Sequence, residues 1–181
     1  NQTNVVVSTT LKKRDIKSKQ KNYIRSQKIE ILKTAVGVNT TASGMSKSTS
    51  YGLRVEDKEI SLNVPDAARL LGVFESINTN APILDRLTFP SGLNLDTTSI
   101  LGEKILGKTS DAIAQITAQI SSNELEIVYL TPTKFTIGEI VDFDESKIST
   151  ILTQIEVGSF LDITNRYELD KGQREQFYDY S

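Results

Sequence analysis

Two nonapeptides thirty-six residues apart, SILGEKILG (Ser99 to Gly107) and FTIGEIVDF (Phe135 to Phe143), share an apolar-Gly-Glu-x-apolar core. Between them lie AIAQITAQI (Ala112 to Ile120) and ELEIVYL (Glu124 to Leu130), joined by Ser121-Ser122-Asn123. Both intervening segments alternate apolar and polar residues, the period of a strand with one buried face, and a three-residue connector suits a β-hairpin. Ile148, Ile151, Ile155 and Val157 supply a further strand. About five short strands at close intervals predict a small closed or nearly closed barrel, an arrangement that removes exposed edges. Gly102 and Gly138 are expected at bends or bulges in paired positions. A repeated Gly-Glu can suggest catalysis, but the favoured reading is structural glycines beside solvated glutamates.

The remainder of the chain carries weaker signals. Residues 3–10 (TNVVVSTT) and 22–36 (NYIRSQKIEILKTAV) read as strands from their Val and Ile content, with Ile29 and Ile31 alternating with polar neighbours. Residues 39–50 are a Ser/Thr/Gly loop without periodicity. Ile60, Leu62 and Val64 alternate as a half-buried strand that ends at Pro65-Asp66, after which Ala67 to Leu71 predicts one or two helical turns. Val73 and Phe74 resume a strand, and Asn78 to Pro82 forms a turn. The expected fold class is mainly β: an N-terminal β element plus a small five-stranded barrel-like unit, with one short helix at most. Three units follow. Residues 1–95 form a mainly β domain with basic N-terminal strands and a short helical turn near 66–71. Residues 96–158 form the barrel-like insertion, and 159–181 a strand and junction to a following module.

Composition narrows the chemistry. The chain has no cysteine and no histidine, so disulfides, thiol chemistry, the commonest general base and the preferred zinc ligand are absent. Hydrophobic content is 38%, with no Trp and a single Met45, which predicts a thin or divided core. No stretch approaches the apolar length needed to span a membrane as a helix. The net charge of −2 conceals a split: residues 1–33 carry +7 and the remainder −9. A basic end can bind nucleic acid. With one aromatic (Tyr23), no Gly-rich loop and no nucleic-acid motif in it, a solvated face or a contact with an acidic neighbour is the favoured reading.

Asp142, Asp144 and Glu145 in VDFDES make the densest acidic cluster, and Glu56, Asp57 and Glu59 a second. Neither completes a calcium loop, since the alternating oxygen ligands stop early and no Gly follows at the sharp turn. Both read as turn carboxylates facing water. Asn1-Gln2-Thr3 and Asn39-Thr40-Thr41 match the glycosylation pattern at the frequency expected by chance. Lys171-Gly172-Gln173-Arg174 reads as a turn. No catalytic, cofactor-binding or metal-ligating residue is assigned.

Two segments, YGLRVEDKEISLNVPDAARLLGVFES (Tyr51 to Ser76) and DITNRYELDKGQREQFYDYS (Asp162 to Ser181), resemble parts of large virion structural proteins of contractile-tailed phages, especially those of cyanobacteria and other marine bacteria. In that family a YG.R.ED.EISL..PD stretch is followed by a small Gly-Glu-containing β insertion and then by DIT..Y.LD.GQR..FYDY; the order is the same here. The resemblance covers residues 51 to 181 and leaves the basic N-terminal part unmatched. It implies a non-enzymatic tail, baseplate or fibre component, located in the virion after synthesis in the host cytoplasm. Its partners would be other virion proteins or copies of itself, with a host surface receptor as a further possibility. It brings no catalytic motif and no cofactor; the lack of a long apolar stretch argues against membrane insertion, and the make-up of the basic end against nucleic acid. On that reading the chain is a piece of a longer polypeptide, and Phe177, Tyr178 and Tyr180 are packing residues at a junction. The alternatives are a host-surface or carbohydrate-binding module of a phage fibre and, more remotely, a virion-associated depolymerase, which would need a suitably spaced carboxylate pair.

Overall fold

The computed structural model describes residues 25–26, 28–31, 33, 58–60, 62, 67–170, 173–174 and 177–178. In chain order these form β1 (Phe74–Glu75), β2 (Arg86–Thr88), a single helical turn α1 (Leu95–Thr98), β3 (Lys104–Gly107), β4 (Ile113–Ser121) and β5 (Glu124–Tyr129). There follow β6 (Ile140–Phe143), β7 (Ser149–Ile151), β8 (Gln154–Glu156), β9 (Leu161–Asp162), a 3₁₀ turn at Thr164–Arg166, β10 (Gln173–Arg174) and β11 (Phe177–Tyr178). The class is mainly β.

The alternating segments build the main sheet. β4 and β5 pair antiparallel, with Ser121 opposite Glu124, so only Ser122 and Asn123 cross the hairpin. Two register shifts, between Ile116 and Ala118 and between Gln119 and Ser121, mark bulges that bend β4. Around this hairpin the strands follow the order β7-β6-β3-β4-β5-β2-β8, all antiparallel. The sheet curls into a half-barrel whose two outermost strands are consecutive in the chain. Leu152 bonds back to the Glu139 carbonyl on the β6 side, and the next residue, Thr153, bonds to the Thr88 carbonyl on the β2 side. Neither edge is therefore left as a long free template.

Inward-facing side chains fill the curl. Leu87, Phe89, Leu95, Ile105, Ile116, Leu125, Ile127, Val141 and Leu152 are essentially excluded from water, and Phe89 meets Phe143 edge to face at 5.7 Å. Full burial of each such side chain contributes about 1.5–3 kcal/mol. β5 is buried on both faces: Leu125 and Ile127 point into the curl, while Glu126 and Val128 are covered from outside. The outer cover comes from Arg25, Ser26 and Lys28 and from the small β1·β9 sheet, where Phe74 packs edge to face on Phe160 at 4.9 Å. β10 and β11 form a separate two-stranded hairpin.

Seven strands stand where about five were expected, for two reasons. β2, from a segment read as preceding the barrel, lies between β5 and β8. The 148–157 segment makes two short strands because the chain changes partners at Leu152-Thr153. The helical turn expected near 66–71 is absent over 67–71. There Leu71 lies in the cleft beside Phe74 and Phe160, so apolar burial overrides helix propensity. The helix instead falls at Leu95–Thr98, behind Asn94 in the left-handed region (φ 52). So short a helix is fixed by tertiary contacts: Leu95 is fully buried and its N–H donates to the Ser122 carbonyl at 2.8 Å. The strand expected within 159–181 is short: β9 stops at Asp162 and gives way to the 3₁₀ turn. In the 22–36 segment, Ile29 and Ile31 are half-buried and Lys28 and Glu30 exposed, but the described residues form no strand. The same holds for Ile60 and Leu62; Val64, the 3–10 strand and the 39–50 loop lie outside the described residues.

Candidate functional site

The repeated Gly-Glu motif occupies two equivalent positions in the half-barrel. Gly102 and Gly138 have φ of 82° and 90°, a conformation that is costly for residues with a Cβ. Each kink turns the following glutamate inward. The expectation of solvated glutamates is overturned: Glu103 is 0% exposed and Glu139 5%.

Both carboxylates are held by the same set of donors. One oxygen of Glu103 accepts the Ile100 N–H at 2.7 Å, and the other accepts the N–H groups of Glu145 and Ser146 at 3.0 and 2.9 Å. The Ser146 hydroxyl donates at 2.9 Å. Glu139 accepts the Thr136 N–H at 2.6 Å and those of Thr109 and Ser110 at 3.1 and 3.0 Å, with the Ser110 hydroxyl at 2.9 Å. Every partner of Glu139 is offset by thirty-six residues from the corresponding partner of Glu103. Each glutamate clasps a turn belonging to the other repeat. The turns match too, since Asp111 and Lys147 follow the two serines with φ of 55° and 60°.

The backbone obeys the same relation. Gly102 and Gly138 donate to the carbonyls of Ile116 and Leu152, and those two residues donate back to the carbonyls of Glu103 and Glu139. Lys108 donates to Ile140, and Asp144 to Lys104. β3 and β6 pair with Leu106 opposite Asp142, residues that are themselves thirty-six apart. A local two-fold axis therefore passes through that pair. Residues 100–116 and 136–152 are two copies of one structural unit, locked by reciprocal carboxylate clasps.

Burial alone would raise the Glu139 pKa. The N–H groups of Thr136, Ser110 and Thr109 and the Ser110 hydroxyl outweigh that effect and hold it below the ordinary glutamate value. A carboxylate saturated by backbone donors and closed to solvent has no lone pair free to take a substrate proton. The chemistry of the motif is fastening, and Ser110 and Ser146, themselves thirty-six apart, were the sequence signal for it.

The other acidic groups are dispersed. Asp142 accepts from Ser149 at 2.8 Å and pairs with Lys108 at 2.5 Å, and Lys108 and Ser149 lower its pKa. Glu145 pairs with Arg25, and the Asp144 carbonyl accepts from Lys147. The VDFDES carboxylates thus do not converge, and no group of three metal-binding side chains occurs among the described residues. Glu59 is exposed; Glu56, Asp57 and Lys171-Gly172 lie outside the described residues, as do the side chains of Gln173 and Arg174. Two buried acids were not singled out from sequence. Asp85 accepts the Gly158 N–H at 2.7 Å and pairs with Lys134 at 3.2 Å, and Glu126 pairs with Lys28 at 2.9 Å.

Asp85 and Lys134 border a cleft of about 90 Å³ between the half-barrel and the β1·β9 sheet, closed by Phe74, Tyr129 and Phe160. The Lys134 ammonium sits 3.7 Å from the centre of the Tyr129 ring. No helix among the described residues is long and apolar enough to cross a membrane. No family model matches the chain, and neither a curated protein nor a solved structure does.

Proposed function

We propose that this chain is a non-enzymatic structural module of a tailed-phage virion protein, a tail, baseplate or fibre component that serves assembly. The virion assignment rests on the resemblance of residues 51–76 and 162–181 to that family. The observation that favours a structural role is the use of the buried acids. Asp85, Glu103 and Glu139 are each engaged by backbone donors of the chain itself, so each stiffens a joint. Outward-facing Leu106, Ile140 and Ile151 add exposed apolar surface on β3, β6 and β7, with Ile140 and Ile151 directly paired. Such surface suits subunit contacts.

The carbohydrate-binding alternative finds less support. The cleft is well below the roughly 300–1,000 Å³ of ordinary ligand sites, and Lys134 already covers the Tyr129 ring face on which a sugar would stack. Sedimentation velocity over a concentration series, alone and with neighbouring tail proteins, is expected to show association, with no binding on a glycan array. Polysaccharide turnover abolished by replacing a single carboxylate would overturn this reading.

A further inference from the structure

The two-fold repeat makes one asymmetry plain. Over Gly102 lie Arg25 and Ser26 of the basic N-terminal segment: a Cβ on Gly102 would stand 2.6 Å from the Arg25 Cβ and 3.0 Å from the Ser26 nitrogen. Over Gly138, its equivalent, no described atom would lie within 4 Å. The backbone frame is the same at both places, and the side chains around it differ. At the first site Gln115 donates to the Gly102 carbonyl at 2.9 Å and to the Arg25 carbonyl at 3.4 Å, Glu145 pairs with Arg25, and Glu126 takes Lys28 on both carboxylate oxygens at 2.9 and 3.2 Å. At the second, the positions of Gln115 and Glu145 are held by Ile151 and Thr109.

Glu126 distinguishes this contact from an ordinary surface pair. Its side chain is 4% exposed while that of Lys28 is 47% exposed, so the cation reaches in to a carboxylate that water cannot serve. Arg86 stands opposite Glu126 in the β2·β5 ladder, but its guanidinium goes to Glu124 and Glu156 instead. Thr117 donates the remaining described hydrogen bond, at 3.1 Å. A buried carboxylate left without its cation is strongly unfavourable.

We infer that the groove of Gly102, Gln115, Glu126 and Glu145 is a docking site for a basic segment, and that Arg25, Ser26 and Lys28 of this chain are its occupants, held as an electrostatic latch. The acidic half of the charge split thus has an address for the basic half.

Trypsin cleavage of the intact chain after Arg25, followed by mass spectrometry and normalised to a free peptide of residues 22–33, reads the latch directly. The docked segment is expected to be protected at about 0.05 M salt and cleaved several-fold faster at about 0.5 M, where the exposed Arg25–Glu145 pair is screened far more than the buried Glu126. Glu126→Gln is expected to raise cleavage about tenfold at low salt, the population change implied by losing a hydrogen bond to a charged group. The charge exchange Lys28→Glu with Glu126→Lys restores protection. Gly102→Ala opens the latch, while Gly138→Ala, with the same backbone strain, does not. Cleavage at Arg25 in the unaltered chain that is indifferent to salt, or unchanged by Glu126→Gln, would overturn the inference; the salt arm needs no variant to fold.

Discussion

Replacing Glu103 with alanine is expected to lower the unfolding free energy by about 4 kcal/mol, and Glu139→Ala by a similar amount. The reason is the donors left behind. Truncating Glu103 strands the N–H groups of Ile100, Glu145 and Ser146 and the Ser146 hydroxyl. An unsatisfied buried donor costs about 1–3 kcal/mol, and partial access of water at the exposed turn keeps the total below the simple sum. A loss of this size is a large share of the roughly 5–15 kcal/mol that holds a domain of this kind together. Glu103→Gln keeps a carbonyl acceptor and should cost about half as much. Urea titration of the three variants against the unaltered chain gives the measurement. If Glu103→Ala changed stability by less than about 1 kcal/mol, the clasp would be ornament on a sheet held by its core.

The second large effect is acid lability centred on Glu139. Its folded-state pKa lies below the ordinary value of 4.5, because the backbone donors of Thr136, Ser110 and Thr109 and the Ser110 hydroxyl prevail over burial. A depressed carboxylate pKa contributes stability that is fully present above the unfolded value and is lost as the pH falls through the folded one. Stability attributable to this clasp is therefore flat from about pH 7 to about pH 5 and declines below about pH 4.5. Glu139→Gln removes the titrating group, so its acid decline is shallower although it starts from a lower plateau. Urea unfolding at stepped pH values checks this. Parallel acid profiles in the two proteins would show that Glu139 is not linked to folding.

The half-barrel was legible where local pattern decides structure. Alternation in 112–130 announced the β4·β5 hairpin, and glycines thirty-six apart announced two matching bends, because Gly takes a φ of 82° or 90° at low cost. What lay inside those bends was not legible from the motif alone. A glutamate beside a glycine is normally solvated, and Glu103 is buried only because the turn at Glu145-Ser146, forty-two residues on, offers it two N–H groups. Long-range satisfaction of that kind leaves its trace in the equal spacing of Ser110 and Ser146, a signal that emerges only when the whole repeat is aligned with itself. The helix was misplaced for a related reason. Ala67-Ala68-Arg69-Leu70-Leu71 has helix-forming residues, yet Leu71 is drawn into the cleft that Phe74 and Phe160 also line. Leu95–Thr98 has poor formers at Asp96, Thr97 and Thr98 and is held by Leu95 in the core. Lys28 and Glu126 are ninety-eight residues apart, and nothing in either neighbourhood names the other.

Each repeat is fastened by the glutamate of the other. Amide hydrogen exchange in Glu139→Gln and Glu103→Gln tests it most directly, because a fastened turn exchanges only when its own clasp opens. Glu139→Gln is expected to speed exchange at Thr109 and Ser110 by about tenfold while leaving Glu145 and Ser146 within about twofold of the unaltered chain. Glu103→Gln should do the converse. Exchange that rose equally in both turns, or only in the turn belonging to the mutated glutamate's own repeat, would contradict the reciprocal clasp.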